Sequence, residues 1–199
     1  MSDPYLPPET LDHIVDFLHD DVNALKDCCL VSKSWIPRTR KHIFAEVELR
    51  YEVHLESWKK MFSDPSTSPA HFTKSLHVGC ARAITAVDAE AGSWLEGFTH
   101  IVHLGVETRG AHCEGPAVSL VPFHRFSRTI KSLRVKSADL PPLRIFDFIL
   151  SSPLLEDLNL SRHGASFDHN DGPDGPSTFI QTSNPPVFTG SLKLFPEGG

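Results

Sequence analysis

The sequence predicts a mixed α+β or α/β chain, in which a three-helix N-terminal module precedes a series of strand–helix units. Three observations carry this. Apolar residues recur at helical spacing three times before residue 44. The pattern then switches to strand-like alternation. From residue 75 onward a short apolar element returns repeatedly, with leucines at 76, 104, 133, 158 and 192, which are 28, 29, 25 and 34 residues apart.

The first helix opens at Leu6-Pro7-Pro8-Glu9-Thr10-Leu11. Proline suits the first helical turn, where its missing N–H has no intrahelical partner, and Glu9 suits the positive end of the dipole. Leu11, Ile14, Val15 and Leu18 follow the i, i+3, i+4, i+7 pattern of one face, with Phe17 beside it. His19-Asp20-Asp21 breaks the pattern, and either aspartate can cap a second helix, whose Val22, Leu25 and Cys29 share a face. Ser32 or Ser34 can cap a third helix with Pro37 in its first turn, and Trp35, Thr39, His42 and Ile43 lie along one side of it. Three helices in some 40 residues make a very small core, so part of this apolar surface is expected to form an interface.

The string Leu6-Pro7-x-Glu9-x-Leu11-x-x-Ile14-x-x-Phe17-Leu18, then Leu25, then Leu30-Val31-Ser32-x-x-Trp35, resembles the F-box motif in residue type, order and spacing. The resemblance covers residues 5–44. It implies docking to a Skp-type adaptor, and through it to a cullin scaffold and a RING subunit. The residues it assigns to that contact are Leu6, Pro7, Pro8, Leu11, Ile14, Leu18, Leu25, Leu30, Val31 and Trp35. Charge is segregated here. Seven acidic residues and one basic residue precede Ser32, and Lys33, Arg38, Arg40 and Lys41 follow it without an acidic one. That run reads as a solvated helix face or as a basic patch steering an acidic partner.

Residues 45–69 read as a connecting segment, with a short strand at 45–49, a helix near 55–62 and a turn-rich stretch at 63–69. In 70–199 the recurring elements are Ser75–Val78, Ile101–Val106, Ile130–Val135, Leu155–Leu160 and Ser191–Leu194. They resemble the LxxLxL strand of leucine-rich repeats. Ala138 and His163 stand where an asparagine or cysteine usually follows. The resemblance implies an irregular strand–helix solenoid with an exposed strand face for binding. One intervening helix is expected to start at Pro141-Pro142 and to turn Leu143, Phe146, Ile149 and Leu150 inward. Residues 162–186 read as a Gly/Pro/Ser/Asn/Asp-rich loop, and the final element at Leu192 reads as cut off, as in a truncated product or fragment.

The bulk numbers exclude several classes. Hydrophobic residues at 40% and charged residues at 22% are ordinary for a folded chain. A net charge of -6 argues against nucleic acid and anionic membrane surfaces as partners. No apolar run is long enough to span a bilayer, and residues 1–5 carry no secretory leader pattern. Cys28, Cys29, Cys80 and Cys113 form no CxxC pair and read as reduced thiols in the cytoplasm or nucleus. No phosphate loop, nucleophile elbow or HExxH is present, and Asp168-His169-Asn170-Asp171-Gly172 departs from a calcium loop. The expectation is a non-catalytic receptor subunit of a ubiquitin ligase, without cofactor or metal, holding an unidentified protein substrate. The alternative is an adaptor-binding scaffold outside any ligase, or a receptor inactivated by truncation.

Overall fold

The structure, a computed structural model, describes residues 7–64, 67–79, 93–108, 120–137, 142–161 and 191–195. Helices α1 (Pro8–Phe17), α2 (Val22–Val31) and α3 (Ile36–Ile43) come first. Asp21 caps α2, its carboxylate accepting from the Asn23 and Ala24 amides at 3.1 and 2.9 Å. Ser32 accepts from the Ser34 amide at 3.3 Å and starts a 3-10 turn, Lys33–Trp35, that leads into α3 with Pro37 in its first turn.

Six strands follow: β1 (Glu46–Leu49), β2 (Ser75–Val78), β3 (His103–Thr108), β4 (Ser132–Ser137), β5 (Asp157–Ser161) and β6 (Ser191–Phe195). They form one parallel sheet in the order β1-β2-β3-β4-β5-β6, so each strand pairs with its neighbours along the chain. The register aligns the recurring leucines: Val47, Leu76, Leu104, Leu133, Leu158 and Leu192 stand opposite one another. Leu49, Val78, Val106, Val135, Leu160 and Leu194 form a second row.

The approach to each strand repeats as well. The carbonyl of Ala45 accepts from the amides of Lys74 and Ser75 at 2.9 and 3.0 Å. Lys74 does the same for Val102 and His103, Val102 for Lys131 and Ser132, and Lys131 for Glu156 and Asp157. In each case the acceptor is the residue just before a strand. A single register therefore satisfies these turn amides at four successive strands.

This geometry moves the first residue of three expected strands. Ile101, Ile130 and Leu155 sit two places ahead of β3, β4 and β5, where they are buried beneath the turn. Residues 45–69 carry the expected short strand and helix as β1 and α4 (Glu52–Met61), whose Leu55 and Trp58 belong to the main core. The connections before β2, β3 and β4 contain 3-10 turns at Pro69–Phe72, Ser93–Leu95 and Val121–Phe126.

Helix α5 (Pro142–Leu150) corrects one expectation in part: Ile149 packs inward as expected, Phe146 and Leu150 do not, and the side chain of Leu143 lies outside those described. Phe148 is fully buried, and Ile145 and Ile149 pack against the core, while Phe146 is 56% exposed and Leu150 is exposed. The inward face is therefore 145/148/149. With Arg144 and Asp147 the only charged residues of α5, both phases place apolar residues on one side, and the sequence does not choose between them.

The core is one continuous cluster on the buried side of the sheet. Trp58 is its hub near α3. Its ring stacks on Phe98 at 5.4 Å between centroids and meets Phe62 at 4.7 Å and Phe44 at 6.2 Å. Phe44 ends α3, and its carbonyl accepts the Thr73 hydroxyl at 2.9 Å, so the helical module is anchored to the start of the sheet.

Candidate docking surfaces

The helical module is held from inside by a polar clasp. Asp16 on α1 accepts the Arg38 Nε at 2.8 Å, Arg38 Nη2 makes a second contact, and His42 Nε2 lies 2.7 Å from the same carboxylate. The Arg38 bond, then that of His42, holds the Asp16 carboxyl well below the usual carboxylate range, and Asp16 in turn raises the Arg38 guanidinium. Beside it, Cys29 Sγ lies 2.9 Å from the buried Thr39 hydroxyl, which donates to the Trp35 or Ile36 carbonyl. Burial pushes the Cys28 thiol up, and the residue packs inside the helical module. Arg38 is thus committed within the chain, while Lys33 and Lys41 of the basic run are exposed and Arg40 is half-buried.

The clasp leaves apolar side chains outside. Phe17 is 86% exposed, Leu30 85% and Val31 69%, with Val22 and Ile14 also exposed. Ile14 and Phe17, three residues apart, share the outer side of α1. Leu30 and Val31 close α2.

The residues assigned by resemblance divide accordingly. Leu6 lies outside the described residues. Pro7 caps α1 as an exposed residue, and Pro8 is its first helical residue. Ile14, Leu30 and Val31 are exposed, whereas Leu11, Leu18 and Trp35 are half-buried. Leu25 is 0% exposed, which makes it a core residue with no surface to offer a partner. Phe17, left out of that assignment, is the most exposed of the large apolar residues among those described. Its helical distance from Ile14 was the signal that could have placed it there.

The second surface is the open face of the sheet. A groove of about 990 Å³ lies between this face and the helical module, with His19, Asp20 and His42 on one wall and residues of β1–β4 on the floor. Its lining is strongly charged. Glu48 and Arg50 are paired, which raises the Arg50 guanidinium, and Lys136 lies 3.6 Å from Glu107. In the middle, the His77 ring lies over Gly105, and a Cβ on that glycine would fall 2.1 Å from His77 Nδ1. None of these floor residues was singled out from sequence, since charged residues at alternate strand positions carry no signal until the register is known.

Among the described residues, no cluster of three or more His, Cys, Asp or Glu is placed to hold a metal ion, and no helix is long and apolar enough to cross a membrane. Comparison of the chain with protein families, with curated proteins and with solved structures gave no match.

Proposed function

We propose that this chain is a substrate-receptor subunit of a Skp–cullin–F-box type ubiquitin ligase. The helical module docks a Skp-type adaptor, and the strand region holds a protein target. The observation that carries the reading is the exposure of Leu30 and Val31, together with Ile14 and Phe17. These are apolar residues of the F-box-like string that the chain's own core leaves uncovered. A module of this size gains stability by covering such residues with a partner. The in-order parallel strands and the repeated double-acceptor carbonyls support the leucine-rich-repeat-like part of the reading. The chain itself performs no chemistry in this scheme. It raises the effective concentration of a target lysine near a conjugating enzyme's thioester.

The test is co-purification of the full chain with a Skp-type adaptor and its cullin. Wild type is expected to form a stoichiometric complex, and Phe17→Ser/Leu30→Ser/Val31→Ser to lose it while staying folded. A folded wild-type chain that captures no adaptor would overturn the reading. Adaptor capture without cullin would limit it to a scaffold.

A further inference from the structure

We propose that the open face of the sheet holds an extended target segment carrying one basic and one acidic side chain, the basic one over Glu46 and the acidic one over Arg134. This rests on the reading of that face as the target-holding surface. Within the groove lining, Asp20 meets His19 at 3.1 Å, Glu48 pairs with Arg50, and Glu107 pairs with Lys136. Glu46 on β1 and Arg134 on β4 are exposed and have no ion pair or hydrogen bond among the described residues. Two unmatched charges of opposite sign, on a floor whose other charges are matched, are complementary to a segment bearing the reverse pair.

The register fixes their separation. The row containing Glu46 runs through Ser75 and His103 to Ser132, and Arg134 lies two residues further along β4. Three strand spacings of about 4.8 Å and two rises of about 3.3 Å place the two Cα atoms about 16 Å apart. An extended segment covers that distance in about four to six residues, and because its side chains alternate in direction an even spacing turns both charges to the floor. Between them Gly105 has no side chain, Ser75 is small and buried, and the His77 ring lies over the glycine, while the exposed His103 flanks the line. The acidic group is a single carboxylate, which Arg134 can take bidentately. A phosphate dianion or a nucleic-acid backbone would meet Glu46, Glu48 and Glu107 on the same floor.

Random short peptides displayed on phage are selected on the immobilised full chain and on its Arg134→Glu, Arg134→Gln and Glu46→Lys variants. Wild type is expected to enrich Lys or Arg about four or six positions from Asp or Glu, the even spacings that turn both side chains to the floor. Arg134→Gln is expected to lose the acidic preference, Arg134→Glu to replace it with a basic one, and Glu46→Lys to replace the basic preference with an acidic one. A peptide selected on wild type should bind each variant about three- to tenfold more weakly. The same peptides enriched on all four proteins, or no paired-charge pattern on wild type, would overturn the proposal. So would tighter binding when the selected acid is replaced by phosphoserine. Adaptor capture is measured in parallel on the same variants, which lie outside the helical module. Its loss in wild type counts against the ligase reading, while the charge selection still decides the groove.

Discussion

The Arg38 guanidinium meets the Asp16 carboxylate side-on between α1 and α3, with Nε 2.8 Å from Oδ1 and Nη2 on Oδ2. The pair joins α1 and α3 through two residues 22 apart in the chain, and His42 reinforces it from the next turn of α3.

Because the clasp depresses the Asp16 carboxyl, its contribution has a defined pH window. It is complete above the unfolded-state value of about 4 and is lost as pH falls towards the lower folded-state value. Asp16→Asn is therefore expected to lower the thermal midpoint at pH 7 and to flatten the acid dependence below about pH 4. Hydrogen exchange on the α1 amides, measured between neutral and acid pH, checks this. An unchanged acid profile in the variant would show that other carboxylates set it.

Leu25 and Leu30 are both leucines of α2, yet they should behave in opposite ways. Leu25→Ala is expected to cost about 2–5 kcal/mol, enough to unfold a module of this size. Leu30→Ala should change stability by less than about 0.5 kcal/mol and act instead on adaptor capture. Thermal melts and co-purification of the two variants separate core from interface.

The phase of α5 makes a third expectation. Phe148→Ala should cost about 3–5 kcal/mol through the cavity it leaves, and Phe146→Ala about 0.5 kcal/mol or less. Urea denaturation of the two variants gives the comparison, and similar losses would contradict the inward face at 145/148/149.

Much of the sheet was legible in the sequence, because a strand buried on one face alternates with period two and a repeated strand repeats its leucines. The rows through Leu76, Leu104 and Leu133 follow directly from that. Val47 is a valine in a row of leucines and lies on the far side of the turn-rich stretch, although it stands 29 residues before Leu76, within the 25 to 34 residues that separate the others. The inward face of α5 was not legible, since apolar residues surround that helix. The division of Leu25 from Leu30 was not legible either. Both are apolar residues of one short helix, and the contacts that bury one of them come from elsewhere in the chain. Glu46 and Arg134 became visible as a pair only once the register placed them on one floor.

His77 and Gly105 supply the last expectation. Gly105→Ala forces the His77 ring aside, whereas in a His77→Ala background the ring atoms it meets are gone. The two substitutions should couple by about 1 kcal/mol in a double-mutant cycle read by denaturant unfolding. Additive effects would mean that the ring does not rest there in solution.

Strands that pair only with their neighbours along the chain also give the protein a mechanical grain. Tension applied through the β6 end peels the ladder from its edge, one strand at a time, instead of shearing all of it at once. Each rupture between β5 and β2 then frees 25 to 29 residues, about 90–100 Å of slack at roughly 3.5 Å per residue. A motor pulling on such a chain meets a series of small, evenly spaced resistances, and the helical module is the last part to feel the load.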